Sequence, residues 1–388
     1  MAKNILIIDD SALMRRVLSD IINKDERFKV IAEAANGLEG LALIEERGKE
    51  FDAVILDINM PRMNGLELLA VLKSKNIKIN VIIVSTLARK NAKETIRALE
   101  LGAFDFVTKP ESFTEVKSNL FSDRLLECLT TATIAETGQE QSQMLDTITS
   151  IVNNIKATLA VVVEAEKKGT KQPQKEAASQ KREASKKKPA AVNTGASKLV
   201  ALACSTGGPK ALHTVIPELP AELDAGVLVV QHMPEGFTKS LAERLNELSK
   251  INVKEAEDGD LLTKGTVYIA KGGHQMRLKK QGDGNYCLSV TKEPARHGLL
   301  PCADIMYESL VDTNFDQITC VVLTGMGGDG TVGISQLYKK HNIYVIAQNE
   351  ETSIVYGMPK VVKDAGLVDE VVGLSEVSDA IIKNVGVV

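Results

Sequence analysis

Apolar and polar positions follow the same rhythm twice along the chain. From residue 4 to about 122, the short apolar runs NILII, KVIAEA, DAVIL, VIIV and FDFV are each followed by a stretch of helical periodicity, the first from Ser11 and the second near Gly37. Strands alternating with helices predict a doubly wound parallel sheet of five strands, with helices on both faces. The pattern resumes at Lys198, with strands near LVALA, GVLVVQ, VYIA, ITCVVLT and YVIA. The expected organisation is therefore two α/β domains, residues 1–122 and 197–388, joined by residues 123–196.

The joining segment has two characters. Leu145, Ile148, Val152, Ile155, Leu159 and Val162 step by three and four residues, which predicts an amphipathic helix or short coiled coil. Ile151 and Val163 widen the stripe beyond a strict seam, which favours a helix packed on its own domain over self-association. Residues 167–189 carry nine Lys or Arg against two Glu and almost no large apolar side chain, so they read as a flexible basic tether.

Composition adds exclusions. Hydrophobic residues make up 44% of the chain and charged ones 25%, as in ordinary globular proteins; with aromatics at 4% and no Trp, the cores must be aliphatic. The first apolar run, Ile5 to Ile8, is too short for a secretory signal, and no run approaches the roughly 20 residues of a membrane helix, so a cytoplasmic protein with no membrane insertion is expected. The five cysteines, at 128, 204, 287, 302 and 320, form no C-x-x-C pair, which argues against a disulfide framework or a zinc site.

In a parallel sheet, functional groups gather at the carboxyl ends of the strands. In the first domain that geometry selects Asp9 and Asp10, Asp57, Ser85 and Lys109, which end or follow strands one, three, four and five. Crowded carboxylates repel one another unless a cation joins them, and oxygen donors of this kind suit Mg²⁺. A phosphoryl group could then reach Asp57, its charge shared between the metal and the Lys109 ammonium. Taken singly, an Asp before a helix is a common cap and Lys-Pro a common turn; the set at successive strand ends is harder to dismiss.

In the second domain, the stretch LVALACSTGGPKAL runs from a buried strand into a glycine turn that opens a helix. Ser205 there is either a nucleophile or a helix cap. A serine nucleophile needs a base and a group that orients the base. His232, in VVQHMPEGF, immediately follows a strand, and Asp329, in VVLTGMGGDG, lies in a glycine loop that lets backbone N–H groups approach a ligand. His274, in another glycine turn, remains a rival base; His213, His297 and His341 lie in less favourable settings. Asp304 reads as an early helix residue, and Cys204 as inert packing at a strand end. Helix-turn-helix features are missing from these glycine-rich, strand-rich loops, so a nucleic acid partner is not expected.

Residues 1 to about 122, with LIIDD, LDINMPRMNG, VIIVSTL and FDFVTKP, resemble the flavodoxin-like receiver domain of bacterial response regulators. The resemblance implies that Asp57 accepts the phosphoryl group and that Asp10, Asp57 and the Asn59 backbone carbonyl bind Mg²⁺ with help from Asp9. It further implies that Lys109 contacts the phosphate, that the Ser85 hydroxyl turns toward it, and that Phe106 is the aromatic that moves with Ser85. Residues from about 198 to 385, with ACSTGGPKAL, QHMPEGFT, GGHQM and LTGMGGDG, resemble the Rossmann-like catalytic domain of the chemotaxis protein-glutamate methylesterases. That resemblance implies a triad of Ser205 as nucleophile, His232 as base and Asp329 as orienting acid, with the Met326 N–H in the oxyanion hole. It implies ester hydrolysis without a cofactor, deamidation of receptor glutamine by the same triad, methylated chemoreceptors as substrates, a chemotaxis histidine kinase as phosphodonor, and inhibition of the cleft by the unphosphorylated receiver. The chain departs from the family pattern in three places. Ala203-Cys204 stands where Gly-Ala is usual, and Ala203 forbids the positive φ that glycine permits; Cys302 stands where serine is usual; and the joining segment is longer.

Overall fold

Runs such as KNILII and AVILD are apolar on consecutive positions because both faces of their sheet are covered by helices. The computed structural model describes residues 2–86, 89–110, 119–134, 197–282 and 285–388. The heptad-like stretch 145–162 and the basic stretch 167–189 lie outside the described residues.

The first body contains β1 (Lys3–Ile8), α1 (Ala12–Lys24), β2 (Phe28–Ala34), α2 (Gly37–Arg47), β3 (Ala53–Asp57), α3 (Gly65–Ser74), β4 (Val81–Ser85), α4 (Arg89–Leu101), β5 (Asp105–Thr108) and α5 (Asn119–Ile134). Its parallel sheet has the order β2-β1-β3-β4-β5. Alternate strand residues point to opposite faces. Ile5, Ile7, Ile55 and Val84 pack with α1 and α5, while Leu6, Ile8, Leu56 and Ile83 pack with α2, α3 and α4. Polar side chains start the helices: Ser11 accepts from the Met14 N–H, Asn36 from Leu38 and Glu39, and Asn64 and Glu67 form a capping box. α5 continues past residue 122 because Phe121, Leu125, Cys128, Leu129 and Ala132 lie against the sheet, which gives this helix a buried face along most of its length.

The second body contains β6 (Lys198–Cys204), α6 (Gly208–Val215), β7 (Gly226–Gln231), α7 (Phe237–Leu248), β8 (Asn252–Glu255), β9 (Thr266–Ile269), β10 (Gln275–Lys280), β11 (Tyr286–Thr291), α8 (Ala303–Glu308), β12 (Gln317–Val322), α9 (Thr331–Lys340), β13 (Ile343–Gln348), α10 (Met358–Asp364), β14 (Glu370–Val372) and α11 (Val377–Val385). A seven-stranded parallel sheet runs β14-β13-β12-β6-β7-β9-β8, and β10 and β11 form a separate antiparallel hairpin. The five strands legible in the sequence are the inner ones. β8 and β14 are short edges bearing Lys254, Glu255 and Glu370, and β10 ends in exposed lysines, so none carries a continuous apolar run.

In each sheet the first strand lies inside the sheet and the chain winds away from it in both directions. β1 has β2 on one side and β3 on the other; β6 has β7 and β12. The crevice where the winding direction reverses opens at the carboxyl ends of these strands, and ligands bind there in open α/β sheets.

Leu125 is fully buried on α5, so Leu125→Ala should lower stability by about 2–5 kcal/mol, read as a lower unfolding midpoint of the full chain. A wild-type midpoint would show that α5 is not part of the folded core.

Candidate active site

Three neighbouring strands bring three residues to one rim. Cys204 on β6 pairs in register with Gln231 on β7, so the residues that follow them, Ser205 and His232, leave the sheet side by side. The Ser205 N–H donates to the Thr324 carbonyl just beyond β12 (3.0 Å), and the His232 N–H donates to the Cys204 carbonyl (3.2 Å). The loop from β12 then carries Asp329 under His232, whose Nε2 lies 2.7 Å from Asp329 Oδ2. With Nε2–H held by the carboxylate, Nδ1 is the nitrogen left with a lone pair. Ser205 Oγ makes no hydrogen bond among the described residues; contacts of this kind tighten when substrate binds.

Ser205 does not cap the helix. Gly207 holds the N-cap position at φ 77°, and its missing Cβ would stand 2.7 Å from Ile354 Cβ. That left-handed residue makes the turn, so Ala203 lies in the extended strand and the departure from Gly-Ala needs no unusual φ there. Gly325 is equally constrained, since a Cβ there would stand 2.8 Å from Ser205 Cβ. Cys204 is fully buried, its thiol 3.1 Å from Gln231 Oε1, and burial pushes its pKa well above the usual thiol value. The backbone N–H groups of Met326 and Thr206 have no hydrogen-bond partner among the described residues. Thr206 was not singled out in the sequence, although the residue after a nucleophile is a standard place to look for an oxyanion donor.

The rival histidines sit elsewhere. His274 Nδ1 faces the Gly272 carbonyl at 3.1 Å, His213 Nδ1 the Pro209 carbonyl at 2.6 Å and His341 Nε2 the Val311 carbonyl at 2.7 Å, while His297 is exposed.

The acidic pocket forms at the other switch point. Asp9 and Asp10 follow β1, Asp57 ends β3, and one carboxylate oxygen from each lies within 4.8 Å of the others, with Asp10 exposed to solvent. Lys109 Nζ reaches Asp9 Oδ2 at 2.8 Å and Asp57 Oδ1 at 2.9 Å. Burial pushes the Asp57 carboxyl above its usual value, opposed by the Lys109 charge. Ser85 Oγ accepts from Thr95 Oγ1 at 2.9 Å, and Asn59 lies in the loop beyond β3.

Comparison with known proteins places both domains in known families. Residues 200–381 match the CheB methylesterase family and residues 5–121 the response regulator receiver domain family. Protein-glutamate methylesterase/protein-glutamine glutaminase 1 of Syntrophomonas wolfei is 38% identical over 384 residues, covering 98% of this chain and 98% of its own. The chain belongs to the protein-glutamate methylesterase/protein-glutamine glutaminase family. Relatives of the same description in Pyrococcus horikoshii and Bacillus subtilis are each 38% identical, covering 99% and 97% of this chain and 94% and 97% of their own. Among the described residues, no helix is long and apolar enough to cross a membrane.

The receiver lies directly against the methylesterase domain. Asp105 Oδ2, at the start of β5, accepts from Thr206 Oγ1 (3.1 Å) and from Arg124 Nη2 (3.0 Å). Phe106 packs on Phe237 at the start of α7, with ring centroids 4.6 Å apart. Thr131 Oγ1 on α5 donates to Met326 Sδ at 3.6 Å, and Val355 joins the receiver's apolar cluster. At the rim, Arg244 pairs with Glu100 (2.7 Å) and Lys93 with Glu243 (3.0 Å).

Two buried carboxylates of the methylesterase domain shift in opposite directions. Burial would raise Asp329, but the His232 hydrogen bond and charge, with the N–H groups of Asp304 and Ala303, outweigh it and bring the pKa to about 2. Burial raises Asp304 to about 6, and the Asp329 charge adds to that rise. An acid whose pKa is higher in the folded state favours folding most below its unfolded value of about 3.9, and that contribution is lost as pH rises through about 6. Replacing Asp304 by Asn removes this loss, so between pH 4 and 7 the variant should gain on the wild type by on the order of 1–3 kcal/mol. Unfolding curves of both proteins at the two pH values check this; a gap that does not change with pH would mean that Asp304 ionises alike in the folded and unfolded chains.

Proposed function

We infer that the chain hydrolyses γ-glutamyl methyl esters on chemoreceptor helices through Ser205, His232 and Asp329. The observation that carries this reading is the arrangement of the three residues at adjacent strand ends, with His232 held 2.7 Å from Asp329. Ser205 Oγ attacks the ester carbonyl as its proton passes to His232 Nδ1, and Asp329 stabilises the resulting imidazolium. The tetrahedral oxyanion is met by the free N–H groups of Met326 and Thr206. Collapse expels methoxide, which takes the proton from His232 and leaves as methanol, and a glutamyl-serine ester remains. Water then attacks that ester, giving a proton to His232, which returns it to Ser205 Oγ as glutamate is released. A glutamine side chain would follow the same course with ammonia as leaving group, in keeping with the second half of the relatives' name.

Phosphorylation of the receiver is the proposed control, with a chemotaxis histidine kinase as donor. Asp9, Asp10 and Asp57 form a cluster of oxygen donors that fits a small hard cation, and with the Asn59 backbone carbonyl they would hold Mg²⁺. Bound there, Mg²⁺ supplies positive charge for the transferring phosphoryl group. Asp57 accepts the phosphoryl group, and Lys109, now paired with Asp9 and Asp57, turns to its oxygens. Ser85 gives up Thr95 for the new acceptor, and the vacated space draws in Phe106, which now packs on Phe237. The unphosphorylated receiver inhibits because Asp105, Phe106 and Thr131 occupy the approach to Ser205 through Thr206, Phe237 and Met326. Moving Phe106 breaks that contact.

Methanol release from methylated receptor tests the chemistry: Ser205→Ala should lower kcat by about 10⁴-fold or more, and release at the wild-type rate would remove Ser205 from the scheme. For the control, a small phosphodonor with Mg²⁺ should raise wild-type activity by about tenfold or more and leave Asp57→Ala unchanged. An equal rise in both proteins would rule out Asp57 as the phosphorylated residue.

A further inference from the structure

Asp329 is bound on both oxygens by the N-terminal turn of α8. The Ala303 N–H donates to Oδ2 (2.6 Å), the Asp304 N–H to Oδ1 (3.0 Å) and the Cys302 thiol to Oδ1 (3.2 Å). The bracing also runs the other way. Asp304 Oδ1 accepts from the Gly330 N–H at 3.0 Å and the Gly333 N–H at 2.8 Å, in the residue after Asp329 and the first turn of α9. Each acid therefore grips the backbone of the segment that carries the other. We infer that Asp304 is a positioning residue for the esterase, fixing the Asp329 carboxylate beneath His232 by holding the Gly330–Gly333 turn against α8. The inference rests on the reading of Asp329 as the orienting acid.

Two further features support it. The helices touch at this point, since a Cβ on Gly333 would stand 2.9 Å from the Asp304 carbonyl oxygen, so the turn has no slack of its own; the Gly333 N–H has Asp304 as its acceptor, and the Gly330 N–H is shared between Asp304 Oδ1 and Asp329 Oδ1, each at 3.0 Å. The α8 turn is itself anchored: the Cys302 N–H donates to Gln275 Oε1 (2.8 Å), and Gln275 Nε2 donates to the Leu299 carbonyl (3.1 Å), which ties the brace to β10. A second buried carboxylate beside Asp329 carries a repulsive charge, opposed by Arg296 and increased by Glu308. Simple packing would be better served by an apolar side chain. An acceptor for two backbone N–H groups explains why an acid stands there. Asp304 is 5% exposed and lies below the groups that meet substrate, so it acts through Asp329 and not on the ester.

The test uses full-length protein activated with phosphodonor, measuring kcat and KM for methanol release in Asp304→Ala, Asp304→Asn, Asp329→Asn and the Asp304→Ala/Asp329→Asn double variant. Asp304→Ala should lower kcat by about 10- to 100-fold with KM within about twofold, whereas Asp304→Asn, which keeps an acceptor oxygen, should stay within about threefold of wild type. In the Asp329→Asn background the alanine should cost less than about threefold more, because the residue it positions is already disabled. Wild-type kcat in Asp304→Ala, an equal loss in both backgrounds, or an equal loss in the Asn and Ala variants would overturn the inference. Asp329→Asn at the wild-type rate would instead overturn the triad. If Asp304→Ala does not fold, Asp304→Ser keeps one acceptor and carries the test: an intermediate kcat loss supports the brace and wild-type kcat refutes it.

Discussion

A buried carboxylate is tolerated only when its charge is met on every side, and around Asp329 that requirement organises the catalytic end of the second domain. The Asp329 side chain is 6% exposed, and its oxygens take their hydrogen bonds from His232, from the N-terminal turn of α8, from the Gly330 N–H and from the Cys302 thiol. Each partner restricts a different element. The histidine fixes the end of β7, the α8 turn fixes the segment that follows the β10–β11 hairpin, and Gly330 fixes the start of α9. The surplus of donors keeps Asp329 ionised, which is the state that favours an imidazolium above it. Cys302 fits the same scheme. Burial and the Asp329 charge push its thiol up to about 12, so in this setting it is a hydrogen-bond donor and not a nucleophile.

The two domains repeat one topological solution with different chemistry. Both place their site where the sheet's winding reverses, so groups far apart in sequence converge without long loops. In the receiver, acids and a lysine meet, an arrangement fit for a phosphoryl group and its cation. In the methylesterase domain, an imidazole and an acid meet beside the strand end that carries the Ser205 hydroxyl, and the glycines at 207 and 325 let the backbone close around Ser205. Proposed control follows from how the sites are joined. Asp105 and Phe106 are neighbours on the receiver's last strand, one bonded to the residue after Ser205 and the other packed on α7. The contact joins a buried charge-assisted hydrogen bond and an aromatic pair, worth about 0.5–1.5 kcal/mol beyond its area, to the Thr131–Met326 contact and the rim ion pairs of Arg244 with Glu100 and Lys93 with Glu243, so opening it means releasing contacts on α4, β5 and α5 together.

What the sequence by itself determined was everything that depends on local pattern. Continuous apolar runs marked the covered inner strands, and the side chains at their carboxyl ends, Asp9, Asp10, Asp57, Ser85, Lys109, Ser205 and His232, were found because a strand end is visible in a single stretch of chain. Tertiary structure decided what depends on pairing between distant residues. Placing β6 between β7 and β12 selected His232 over His274 as the partner of Asp329 and assigned Nε2 to the carboxylate. The short charged edges β8 and β14 had no apolar signature to read, because an edge strand gains its place from its neighbour and not from its own burial. Thr206 and Asp304 were likewise ordinary in the sequence, one a residue in a turn and the other an early helix residue. Their roles depend on acceptors and donors about 100 and 26 residues away, Asp105 and the Gly330 N–H, and only a folded chain brings those within 3.1 Å.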